Sequence, residues 1–263
     1  MYYLRLIRAF AGASTQNELA YKANFWLSLF HSLLNLATGV LALVVLFGQV
    51  ETLHGWDFAA TLALLGTYLI IGALRGLFLG PSLEALAGMD GEVWTGRLDF
   101  TLLRPVNVQF QASFRHWRPL ALVDLALGLA VLGLALTQMG QSVSLDALLA
   151  YLLALGAGVT ILYALLLAFA GLVFWSPGFL FTWVFDALFQ MARYPVGLYP
   201  GWLRLALTWV VPVAFMTTVP AQALTGRLSP ALLAGSVALA LALLAGASWL
   251  FQTGLRRYAS ASS

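Results

Sequence analysis

Apolar residues gather along this chain in runs, several of them as long as the roughly 20 residues that a helix needs to cross a bilayer. Phe25 to Phe47 contains no Asp, Glu, Lys or Arg in 23 residues and predicts a first span. Phe58 to Leu79, apolar apart from Arg75 near its end, predicts a second, and Leu120 to Met139, with Asp124 near its start, a third. Ala147 to Phe185 is 39 residues without a charge, more than one crossing can use. Ser176-Pro177-Gly178 is the strong turn signal within it, because proline lacks a donor and glycine tolerates positive φ. A break there gives a fourth span over 147–175 and a fifth over 179–194. Ala231 to Phe251, closed by Arg256 and Arg257, predicts the sixth.

The remaining stretches divide into three. At the N-terminus, Tyr3, Ile7 and Phe10 recur near helical spacing with Arg5 and Arg8 beside them, the pattern of a helix lying flat at headgroup depth over 1–22. A cleaved signal or a frayed tail is the alternative. Residues 195–227 are charge-poor, and Leu205 to Gly226 is long enough to cross. Pro212 and Pro220 each free a backbone carbonyl that lipid cannot satisfy, so this stretch reads as an external, re-entrant pair of half-helices. The alternative makes it span five and leaves Phe179, Trp183, Phe185 and Phe189 on a surface as a costly apolar patch. Residues 80–119 hold eight of the 23 charges. Pro81-Ser82-Leu83-Glu84 resembles a helix start and Arg104-Pro105 an end. Leu83, Leu86, Ala87, Val93, Trp94, Leu98, Leu102 and Leu103 supply the apolar face that such a helix lays into a groove. The alternative is a solvated loop that returns the chain.

Composition removes whole classes of function. The 263 residues are 62% hydrophobic and 9% charged, too few charges to coat a soluble surface, and six spans leave no room for a separate catalytic domain. The net charge of +3 is basic, but 12 of the 13 cations are arginines scattered around apolar runs, which fits membrane anchors rather than a nucleic-acid patch. Ten cations fall on the side of the termini and of 80–119, against Arg193, Arg204 and Arg227 on the other, so the positive-inside rule puts both termini in the cytoplasm. The alternative fifth span leaves only Arg227 outside.

No phosphate-binding loop, zinc-site spacing or nucleophile elbow occurs, there is no cysteine, and Lys22 is the sole lysine. The chain reads as a non-enzyme without a metal or cofactor of its own. Asp124 and Asp186 are the acids nearest the hydrocarbon, where an ionisable group is a functional hypothesis by default. Asp186, with Trp183, Phe189 and Gln190 on neighbouring helical faces, marks a candidate pathway for an amphipathic or cationic solute, or a bond to another helix. Gly128, Gly133, Gly156, Gly158 and Gly171 are candidates for close helix packing.

Gly96-Arg97-Leu98-Asp99 with Leu102-Leu103-Arg104-Pro105, then Ala192-Arg193-Tyr194-Pro195, Tyr199-Pro200 and Val211-Pro212-Val213-Ala214-Phe215, resemble short signatures of the permease subunits of ABC-2-type transporters. The resemblance implies an all-α membrane protein of the bacterial cytoplasmic membrane, with six spans, an N-terminal interfacial helix, a cytoplasmic coupling helix between spans two and three, and re-entrant half-helices before span six. It implies a permease dimer, of like or related chains, and a separate ABC ATPase that binds ATP and Mg. Under it, Glu84, Asp90, Glu92, Arg97, Asp99 and Arg104 make the coupling contacts. The cargo it implies is a lipophilic or amphipathic small molecule moved outward; a polysaccharide or lipid-linked glycan, or an embedded enzyme or assembly factor, are the competing readings.

Overall fold

In a computed structural model the described residues are 2–19, 22–140, 143–178 and 181–258. Phe179 and Leu180, the expected start of span five, lie outside them. The chain forms eleven described helices: α1 (Tyr2–Leu19), α2 (Lys22–Phe47), α3 (Phe58–Glu84), α4 (Leu98–Leu102), α5 (Val108–Phe114), α6 (Ala121–Gln138), α7 (Leu145–Leu172), α8 (Phe181–Gln190), α9 (Gly201–Val210), α10 (Val213–Leu224) and α11 (Pro230–Arg257). Five of them, α2, α3, α6, α7 and α11, are long and apolar enough to cross a membrane. Their starts are written locally. Asp57, Ser144 and Ser229 each accept a hydrogen bond from a first-turn amide, of Ala60, Ala147 and Leu232, and so satisfy donors the helix leaves open.

α3 is the hub. It packs along α6 and touches α7, α10 and α2, while α7 packs along α11 and α10. Small residues bring these backbones together. A Cβ on Gly66 would lie 2.8 Å from the Leu132 amide, and one on Gly128 2.9 Å from the Ile70 amide, which sets the antiparallel register of α3 and α6. Gly171 and Gly254 do the same where α7 meets α11 at Phe251 and Phe174. Of the five glycines expected to mediate packing, Gly128, Gly158 and Gly171 do. Gly133 and Gly156 have nothing within 4 Å of a built Cβ and face outward.

One face of the bundle carries residues 85–119 and the end of α11; the loops around Asp57, Met139 and Arg227 converge on the opposite face. The chain must travel from the first to the second between α7 and α11, and it does so in pieces. α8 has 10 residues, about 15 Å of helix and half a hydrocarbon thickness. Just after it, Arg193 bonds to Asn35 near the middle of α2 and lies over Tyr68 in α3, so the rise stops at mid-depth. Within the stretch 179–194, expected as a fifth span, the described α-helix covers Phe181–Gln190 and a single 3₁₀ turn, Met191–Arg193, follows it. Pro195 and Pro200 stop its continuation, since neither can donate to a preceding carbonyl.

α9 and α10 meet at 93° around Pro212, where the sequence placed a break. Pro220 is different: it sits inside an unbroken α10. As a proline it cannot bond to the Met216 carbonyl four residues earlier, and that oxygen is turned toward Gly158 of α7, 2.8 Å from where a Cβ would be. Only a residue without a side chain leaves room for that oxygen at 158. α10 is accordingly almost wholly buried, with Thr217 donating to the Ala192 carbonyl at 2.9 Å.

The segment after α3 also departs from expectation. α3 runs through Pro81 to Glu84, but the chain then turns, with Gly88 and Gly96 at φ of 82° and 71°, before the short α4. No single helix spans 81–104. Leu83, Leu86, Val93 and Leu98 are buried in the chain's own core, while Trp94, Leu102 and Leu103 are exposed. α1 lies against this region: the Trp117 amide donates to Ser14, the Leu120 amide to Glu18, and Tyr3 meets Phe110 edge-on.

Candidate functional site: a polar cleft and an apolar knob

A cleft opens between α2 on one side and α3, α6 and α8 on the other. Its deep part, about 510 Å³, is lined by His31, Asn35, Tyr68, Arg75, Asp124, Asp186, Phe189, Gln190 and Arg193 among others. Two adjoining hollows share His31 and extend it past Glu84 and Arg118 toward the face that carries residues 85–119. Four helices, α2, α3, α6 and α8, and Arg193 just after α8 contribute polar groups to this space.

Arg75 organises the lower part. It begins a π turn, Arg75–Leu79, and its guanidinium donates to Glu84 Oε1 at 2.7 Å and to Asp186 of α8, with the Phe185 ring 4.8 Å from Cζ. The Arg75–Glu84 pair passes over Gly80, where a Cβ would stand 3.1 Å from the carboxylate. Phe185 stacks on Phe189, Phe189 stacks on Tyr68, and Arg193 caps the column from the far end with Cζ 5.4 Å from the Tyr68 ring. Three aromatic rings thus run between two arginines, an arrangement favoured by the negative faces of the rings. Arg193 Nη2 donates to Asn35 Oδ1 at 2.6 Å, while its buried Nε has no partner.

Of the expected pathway residues, Asp186, Phe189 and Gln190 line this cleft. Trp183 is exposed and lines none of it. His31, Asn35, Tyr68, Arg75, Asp124 and Arg193 were not assigned to a pathway by the sequence. A signal existed for two of them: His31 and Asn35 are one helical turn apart in an apolar helix, so they share a face.

The expected coupling residues separate into two groups. Glu84 turns into the cleft, and Glu92 turns into the fold, where Arg115 donates to it at 3.0 Å and His116 Nε2 lies 3.6 Å away. Burial alone pushes the Glu92 carboxyl up, but His116, Arg115 and Arg97 together outweigh it and hold it below the usual carboxylate value. Arg115 also donates to Thr101, tying α4 to α5. Asp90, Arg97 and Arg104 are exposed, Asp99 is half-buried, and Arg97 bonds the Asp90 carbonyl and Thr95. In the same segment Met89, Trp94, Phe100 and Leu103 stand 71%, 54%, 70% and 81% exposed, and we call these exposed apolar side chains the knob.

Among the described residues no group of three His, Cys, Asp or Glu is placed to hold a metal ion. Residues 33–262 match the sequence profile described as "ABC-2 family transporter protein". The chain belongs to that family. It is therefore the membrane subunit of an ABC-type transporter, a multi-pass permease, and the all-α fold expected from its sequence agrees. No curated protein and no solved structure matches this ABC-2 permease significantly.

Proposed function

We propose that this ABC-2 permease exports a lipophilic or amphipathic small molecule across the bacterial cytoplasmic membrane, driven by a separate ATPase that binds ATP and Mg. The observation that carries the reading is the knob at Met89, Trp94, Phe100 and Leu103, whose apolar surface, with Asp90, Arg97, Asp99 and Arg104 in the same segment, suits insertion into a groove of a partner protein. Glu84 and Glu92, held inward by Arg75 and Arg115, act by shaping the segment rather than by touching the ATPase. The dimeric unit pairs this permease with a second copy or a related chain, and α2, whose outer face bears Trp26, Phe30 and Leu41, is available for lipid or that partner.

The same reading puts both termini in the cytoplasm, supported by the cation bias of the sequence. Arg193, counted on the outside from sequence, sits in the cleft, which sharpens the cation bias toward the face that carries residues 85–119. A cleft of about 510 Å³ is within the range that takes a small ligand, and this favours an amphipath over a polymer.

The test is purification with the neighbouring nucleotide-binding subunit in nanodiscs. Leu103→Asp and Arg104→Glu, both at exposed positions, are expected to leave insertion and melting unchanged while cutting co-purified ATPase and transport about tenfold or more. Unaltered coupling in both variants, or ATP turnover by the permease alone, refutes the reading.

A further inference from the structure

Two charges in the deep part of the cleft lack a counter-ion among the described residues. Arg193 has only the neutral Asn35 as a side-chain hydrogen-bond partner, with its Nε buried and unbonded. Asp124, which lines the same cavity from the first turn of α6, has no ion pair or hydrogen bond from its carboxylate among the described residues. In the deep part of the cleft Asp186 and Glu84 share Arg75, and Arg118, in the adjoining hollows, is the other cation there without an ion pair among the described residues. An arginine at mid-depth in a transmembrane bundle is costly unless an anion meets it, and the aspartate is best satisfied by a cation.

The register of α3 and α6 gives the spacing between them. Gly66 faces Leu132 and Gly128 faces Ile70, so continuing the antiparallel pairing puts Asp124 level with Leu74, whereas Arg193 lies over Tyr68. Six residues of α3 separate the two levels, about 9 Å at 1.5 Å per residue. Tyr68 and Phe189 form an aromatic wall between them.

From this juxtaposition we infer that the cleft binds an amphipathic molecule with a zwitterionic head, its anionic group on Arg193 and Asn35 and its cationic group toward Asp124, with Tyr68 and Phe189 against the intervening atoms. A head with phosphate and quaternary ammonium a few ångströms apart, each in contact with its counter-charge, spans such a gap. The inference rests on the export reading only for its direction of transport; binding itself needs neither ATP nor the ATPase.

The full-length permease, reconstituted in phosphatidylglycerol nanodiscs, is titrated with decylphosphocholine, decyl phosphate, decyltrimethylammonium and decyl maltoside, which share one tail. Decylphosphocholine should bind about tenfold more tightly than any of the other three, and Arg193→Gln and Asp124→Asn should each remove about that factor. Trp183→Ala, outside the cleft, serves as the control and should change nothing. Repeating the titration in phosphatidylcholine nanodiscs separates two sources of the same head: suppressed binding there identifies a bilayer lipid, persistent binding a soluble amphipath, and either result supports the inference. Equal affinity for decyl phosphate and decylphosphocholine, or affinities that neither variant alters, overturns it. So does an Arg193→Gln variant that loosens the permease dimer but binds normally, since the arginine's counter-charge then belongs to the partner chain. If binding behaves as expected while ATPase coupling is absent, the transport reading fails and the cleft assignment stands.

Discussion

The two sides of this bundle are held together by different physics. Where α7 meets α10 and α11, glycines bring backbones into contact, Pro220's orphaned Met216 carbonyl lies against Gly158, and no charged residue is buried among the described ones. Where α2 faces α3 and α8, the gap is wide, polar and partly open, and α8 is tied to α3 by Arg75 and by stacked rings. Close backbone packing gains dispersion only in one geometry, so the first side is a rigid frame. Ion pairs and cation–π contacts can exchange partners, so the second side is where movement costs least.

Overpacking the frame should do the most damage. Gly158→Leu forces a side chain against the Met216 backbone and should destabilise the detergent-purified protein by about 3 kcal/mol, read by thermal unfolding. Gly156→Leu, on the same helix but facing open space, should shift stability by less than about 0.5 kcal/mol. If both substitutions behave alike, the contrast between the sides is broken.

In the cleft, Arg75→Ala leaves two carboxylates without their cation. Removing one member of a fully buried pair costs about 3–5 kcal/mol. The side chains here are 15%, 29% and 41% exposed, and water reduces the expected loss to about 2 kcal/mol. Adding Asp186→Asn should recover part of it, and a double-mutant cycle on melting temperatures measures how much. A full loss with no recovery means Arg75 acts through packing on Phe185 instead.

The smallest effect is expected on the segment outside the bundle. Because the Glu92 carboxyl is depressed in the fold, its contribution is complete above the ordinary value of 4.5 and is lost as pH falls below it through the folded value. Glu92→Gln should cost about 1 kcal/mol at neutral pH and flatten the acid limb of a melting-temperature profile. A limb unchanged by the substitution assigns acid sensitivity to other carboxylates.

Much of this was legible from residues alone. The runs over 25–47, 58–79, 120–139, 147–175 and 231–251 each became a long helix, because length and hydropathy are local quantities. The turn at Ser176-Pro177-Gly178 and the break at Pro212 were likewise readable, since proline acts on its own neighbours. The fifth crossing was not readable in this way. Phe179 to Tyr194 has the composition of a span, yet whether it continues depends on Arg193 finding Asn35 and Tyr68, residues more than a hundred positions away.

The same division holds for function. An apolar, charge-poor chain with one polar segment is determined to be a membrane protein by its sequence, because the cost of exposing so much apolar surface to water admits no other solvent. Which charges face each other was decided only by the tertiary structure. Glu84 and Glu92 look equally available along the chain, but folding pairs their carboxylates with Arg75 and Arg115 and leaves Met89, Trp94, Phe100 and Leu103 exposed. Charge pairing depends on distance in space, and a one-dimensional pattern of residues carries that distance only within a helical turn or two.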